Sequence, residues 1–171
     1  MPIDASILRA YDIRGRVDRE LTETTVEWLG QAIGSAAADA GQSGIVGGYD
    51  GREASPRLAA ALRRGPLAGG RRGVGIGEEP PPVMYFATHW LDTQAGVVVT
   101  GSHNPAEYNG LKTIINGRPL WGEGITALGE RIRRGDLVTG TGETRSVEVI
   151  DAYQQRITRE IRLPRPTPAG R

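Results

Sequence analysis

The chain has 171 residues, enough for one domain with its own core and too few for two full ones. Its 21 Lys plus Arg against 20 Asp plus Glu leave a net charge of +1, so no broad basic surface is available for a nucleic acid. The absence of cysteine removes disulfides, thiolate catalysis and Cys-ligated zinc, and two histidines, His89 and His103, cannot build a metal site by themselves.

Met1-Pro2-Ile3-Asp4 lacks a basic or apolar leader pattern, and no apolar run approaches bilayer length, so a soluble cytoplasmic protein without a membrane partner is the expectation. After an entry segment containing Tyr11-Asp12-Ile13-Arg14-Gly15, Val26, Leu29, Ile33, Ala36 and Ala40 recur at helical spacing and predict a helix over 22–40. Thr24 with Glu27 reads as a capping box, and Gly41 as the left-handed stop. Around Ile45 and Val46 a short strand is expected, then a turn at Asp50-Gly51 and a helix with Ser55 as N-cap and Pro56 at its first position. Gly65-Pro66 should break that helix, because proline removes a hydrogen bond and crowds the preceding turn.

Val74 and Ile76 suggest the next strand, 82–91 a helix opening at proline, Gly96 to Thr100 a buried strand, and Leu111 to Ile115 another. Ile125, Leu128 and Ile132 form an apolar stripe closed by Gly135, and Ile150, Tyr153, Ile157 and Ile161 form a second one before a proline-rich tail. Alternating helices and unbroken apolar strands predict an α/β fold, a three-layer sandwich with a mixed, mostly parallel sheet covered by helices on both faces.

In such sheets ligands gather beyond the carboxyl ends of strands, and Thr100-Gly101-Ser102-His103-Asn104-Pro105 follows the Val97-Val98-Val99 strand. Gly101 lets backbone amides approach an anion, His103 can donate a proton, Asn104-Pro105 fixes a turn, and the Ser102 hydroxyl can accept a phosphoryl group. From the residues alone a plain surface turn is the favoured reading, because a Ser-His-Asn turn after a strand is often only a turn. A Ser-His-acid hydrolase is disfavoured because adjacent Ser102 and His103 do not readily adopt nucleophile–base geometry and no G-x-S-x-G elbow is present. Gly73-Val74-Gly75-Ile76-Gly77 lacks the last glycine of the dinucleotide fingerprint, and Glu78-Glu79 would repel a pyrophosphate.

Four strings, RAYDIRG at 9–15, GYDGR at 48–52, TGSHNP at 100–105 and YNGLK at 108–112, occur in the order and spacing of the first domain of the α-D-phosphohexomutase family. Over about Ala5 to Ile161 the chain resembles that family, and its YDIRG opening is similar to the phosphomannomutase/phosphoglucomutase branch rather than to glucosamine-phosphate mutases. The resemblance implies residues 1–161 as the phosphoserine domain and 162–171 as a linker or truncated end. It implies an intramolecular phosphotransferase that interconverts hexose 1-phosphate and hexose 6-phosphate through a bisphosphorylated sugar, with glucose or mannose 1,6-bisphosphate as activator.

Carried over by motif, Ser102 is the phosphoserine, His103, Lys112 and Arg14 are catalytic cations, and Tyr11 and Arg14 line the substrate cleft. Lys112 is the one lysine in the chain, and lysine, unlike arginine, can give up a proton at ordinary cost. Competing structural readings are chance for Lys112, an entry strand with a solvated arginine for Tyr11 and Arg14, and a turn with a surface salt bridge for Asp50 and Arg52. Tyr49 stands where the family usually has arginine. The resemblance also implies Mg²⁺, with most ligands from a second domain of the same chain and one oxygen from the phosphate on Ser102, so the isolated chain is expected to be inactive. The alternatives are a stand-alone phosphosugar-binding module and a non-catalytic interaction remnant.

Overall fold

The computed structural model describes residues 2–161; the expected linker at 162–171 lies outside them. Strands β1 (Ile13–Arg16), β2 (Gly44–Tyr49), β3 (Arg72–Glu78), β4 (Gly96–Val99), β5 (Tyr108–Ile115), β6 (Arg118–Pro119) and β7 (Thr144–Ser146) form one sheet in the order β1-β5-β4-β2-β3-β7, with β6 on β5. β4, β2, β3 and β7 run parallel; β5 is antiparallel to β4, β1 and β6. The expected α/β sandwich is therefore present.

Helices α1 (Glu23–Asp39), α2 (Ser55–Ala68) and α4 (Glu123–Arg134) share one apolar cluster with Ile45, Val97, Val99 and Leu111. On the other face, α3 (Pro81–Trp90) packs Val83, Met84 and Ala87 on Val46, Val74 and Val98, and α5 (Ile150–Glu160) lies beyond it. β4 thus sends Val97 and Val99 to one layer and Val98 to the other, which is why its sequence is an unbroken apolar run. Among the described residues no helix is long and apolar enough to cross a membrane.

The helices differ from expectation at three places. α1 is capped by Thr22, whose hydroxyl accepts from the Thr25 amide at 3.1 Å, not by Thr24. Leu21 and Val26, both fully buried, form the staple that sets this start. Ser55 is not the N-cap of α2: Ala54 precedes it in helical conformation, and the buried Ser55 hydroxyl turns instead to Asp50 and Asn109.

No break occurs at Gly65-Pro66. α2 continues to Ala68 because its own glycine lies on the α1 backbone: a Cβ at Gly65 would stand 2.4 Å from the Gln31 nitrogen. Pro66 packs against Gly34, and the Leu62 carbonyl that it leaves without a helical donor faces Gly30, so close packing offsets the lost bond. α5 forms where its stripe was read but contains no buried residue. Gly41 (φ 73°) and Gly135 (φ 69°) end α1 and α4 as expected.

Candidate active site

The Ser102 loop joins β4 to β5, and because those strands pair with each other, the loop is anchored at both ends. Ser102 is exposed and adopts φ 51°, a left-handed conformation uncommon for a residue with a side chain. Its amide donates to the Thr100 hydroxyl at 3.0 Å, and both the main-chain and side-chain nitrogens of Asn104 donate to the Gly101 carbonyl. The Ser102 hydroxyl lies 3.3 Å from Nδ1 of the exposed His103. Contrary to expectation, the adjacent pair does come within hydrogen-bond reach. Among the described residues His103 has no carboxylate partner, so the third member of a hydrolase triad is missing.

What holds the loop is the segment that the sequence reading assigned to a surface salt bridge. β2 lies parallel beside β4, with Tyr49 opposite Val99, so the loops that leave these two strands emerge side by side. The Arg52 guanidinium donates to the carbonyls of Ser102 (3.1 Å), Asn104 (2.6 Å), Pro105 (2.8 Å) and Tyr108 (3.1 Å). One Asp50 oxygen accepts from the Gly101 amide at 2.9 Å, and the other from Ser55 and the Arg52 amide. Burial works to raise the Asp50 pKa, and the donors Ser55, Gly101, Arg52 and Thr100 outweigh it, holding the carboxyl below its ordinary value. The Asp-x-Arg spacing after a strand was the only signal, and it carries no information on which strand lies next door.

A second cluster forms at β1 and β5. Arg14 pairs opposite Gly110 and donates to the Asp12 carboxylate and, at 3.1 Å, to the Asn104 side-chain oxygen. Lys112 Nζ stands 3.8 Å from the same Asp12 oxygen, whose residue is 9% exposed. Asp12, quoted in a motif without a role, and Asn104, read only as part of a turn, are thus the links: one joins the two cations, the other ties Arg14 to the serine loop. Neither Lys112 nor Arg14 hydrogen-bonds the Ser102 hydroxyl itself.

Lys112 also lines a groove of about 520 Å³ with Tyr11, Tyr85 and Trp121. Tyr11 is 80% exposed at its rim, and the hydrogen bond from the Gly122 amide to the Ala10 carbonyl (2.7 Å) holds the Trp121 segment alongside. Burial pushes the Tyr85 phenol up. A separate cavity of about 310 Å³ lies under α2 against Gly47, Gly73 and Gly75, with neither Ser102 nor Lys112 in its wall.

The residues near Ser102 do not fit a magnesium site of their own. Asp50 is occupied by amide and hydroxyl donors and Asp12 by two cations, and among the described residues no group of three or more His, Asp or Glu could hold a metal ion.

Residues 5–138 match the family described as phosphoglucomutase/phosphomannomutase, alpha/beta/alpha domain I. The chain belongs to that family. The resemblance read from the four motifs is therefore borne out. Among similar curated proteins, the phosphomannomutase/phosphoglucomutase of Pseudomonas aeruginosa is 41% identical over 96% of this chain, and the phosphoglucomutase of Neisseria meningitidis serogroup B is 38% identical over 96%. A solved phosphoglucomutase/phosphomannomutase family protein from Burkholderia thailandensis superposes with a TM-score of 0.91 at 37% identity, covering 96% of this chain and 38% of that one. The chain spans about a third of these relatives' length, 35% of the first and 36% of the second.

Proposed function

We propose that this family member is the phosphoryl-carrying domain of a hexose-phosphate mutase and that Ser102 carries the group. One observation carries the reading: an exposed serine hydroxyl, on a left-handed residue at the carboxyl end of β4, stands in a loop tied through Asn104 to a linked Arg14–Asp12–Lys112 cluster.

In the forward half-reaction the bond between phosphorus and the Ser102 oxygen breaks while a hydroxyl of a hexose monophosphate bonds to phosphorus, and the proton of that hydroxyl passes to the departing serine oxygen. The bisphosphate then presents its other phosphate; the Ser102 hydroxyl attacks that phosphorus, and the serine proton passes to the departing sugar oxygen. Protein chemistry in such a transfer is mostly placement and charge compensation. Arg14 stays protonated and supplies fixed charge to the transferring oxygens, while Lys112 and His103 can exchange the proton. Tyr11, at the groove rim, borders the sugar. Hexose 1,6-bisphosphate would restore an enzyme that had lost its phosphoryl group. Magnesium would neutralise charge on the phosphate, with its carboxylate ligands coming from outside residues 2–161. Alone, this chain is expected to turn over no hexose phosphate.

The test is intact-mass and peptide mapping of the protein isolated from its host. One phosphoryl group on Ser102, absent from Ser102→Ala, is expected; an unmodified serine together with unchanged mutase activity in Ser102→Ala would overturn the reading.

A further inference from the structure

In a trans peptide the carbonyl oxygen and the following N–H point to opposite sides of the chain. Arg52 takes the Ser102 carbonyl at 3.1 Å, so the N–H of His103 is turned away from the guanidinium. The neighbouring amides are all occupied: Thr100 donates to the Gly110 carbonyl, Gly101 to Asp50, Ser102 to the Thr100 hydroxyl and Asn104 to the Gly101 carbonyl. Among the described residues, the His103 amide is the one in this run without a protein acceptor. It belongs to the residue that follows the serine, which itself adopts the left-handed φ of 51°. A main-chain N–H at a turn with no protein acceptor is a ready donor to an anion.

We infer that Arg52 is a positioning residue for the phosphoryl group: by holding the Ser102 carbonyl, it aims the His103 N–H at a phosphate on Ser102 and makes the main chain a phosphate donor. The claim rests on Ser102 as the phosphoryl carrier. It also explains why an arginine stands here: a planar fork with five donors reaches four carbonyls at once, whereas a lysine ammonium gathers donors at a single point.

The experiment installs phosphoserine at position 102 of this chain during synthesis, in the parent sequence and in Arg52→Lys. The His103 amide and the phosphorus resonance are followed by NMR through the second phosphate ionisation, with the unphosphorylated chain titrated in parallel to remove the imidazole's own contribution. In the parent the His103 amide should follow the phosphate. In Arg52→Lys, which keeps the charge but not the fork, that response should fall at least about twofold, and the phosphate pKa should rise by about one unit, because losing a donor disfavours the dianion.

An amide that ignores the phosphate in the parent, or an unchanged titration in a folded Arg52→Lys, overturns the inference. Should the variant not fold, slowed hydrogen exchange of the His103 amide on phosphorylation of the parent supports the claim, and unslowed exchange refutes it. Because the phosphoserine is supplied chemically, these outcomes are independent of whether the host protein is found phosphorylated.

Discussion

Between the Arg52 guanidinium and the backbone of Gly101 there is no room for a methyl group: a Cβ on Gly101 would stand 2.1 Å from the arginine Nε. Gly101→Ala should therefore push the arginine out of the loop and cost about 1–3 kcal/mol, read as a shifted urea midpoint with an unchanged slope. The acid limb of stability has a residue-level cause too. Donation from the Arg16 side chain, then from its amide, lowers the Glu20 carboxyl to about 2. A carboxyl depressed on folding contributes fully above its unfolded pKa, about 4.3 for Glu, and its contribution is lost as pH falls through the folded value. Asp50 acts in the same direction, its donors outweighing the burial that opposes them. Thermal midpoints should fall from roughly pH 5 toward pH 2, and Asp50→Asn should flatten part of that slope while lowering the midpoint at neutral pH. An acid limb identical in the variant would remove Asp50 from this account.

At the scale of elements, the α1–α2 crossing is decided by glycine. Gly65 lies against Gln31 and Gly30 against the Leu62 carbonyl, so Gly65→Ala must separate the helices despite alanine's better helix propensity. A loss of about 1–3 kcal/mol or more in urea unfolding is expected, opposite in sign to what propensity alone predicts. Gly47 of β2 behaves differently. A Cβ on Gly47 would meet nothing within 4 Å, the residue borders the cavity under α2, and strand glycine is intrinsically unfavourable. Gly47→Ala should stabilise by about 0.5–1 kcal/mol, and a destabilised variant would show that the cavity is needed open.

These two cases mark what was readable before the structure was known. Gly41, Gly135 and the strands around Val46 and Val98 were legible because each signal lies within a few neighbouring residues. The uninterrupted α2 was not, since the partner that makes Pro66 tolerable is Gly34, on another helix. Ser102 was located by its strand and motif, but Asp50 and Arg52 became intelligible only when β2 was found next to β4.

For the whole molecule, the sheet is covered unequally. α1, α2 and α4 bury an apolar layer on one face, whereas α5 brings only the partly buried Ile150 and Tyr153 to the cluster on the other, with Tyr153 meeting Phe86 edge-on at 5.5 Å and Trp90 50% and Ile161 57% exposed. Local stability follows burial, so α5 amides should exchange at least about a hundredfold faster than those of α1 in native-state hydrogen exchange. Equal protection of the two helices would mean that α5 is held by more than this edge.

Lys112 is chemically singular. It is the sole side-chain amine in a chain otherwise rich in arginine, it sits in the groove beside Tyr11, and its side chain is 31% exposed. Reductive methylation with isotope-enriched formaldehyde would install a reporter there without altering the charge, the amino terminus being the sole other target. These 171 residues thus carry their own spectroscopic tag, placed in the groove that the proposed reaction assigns to the sugar.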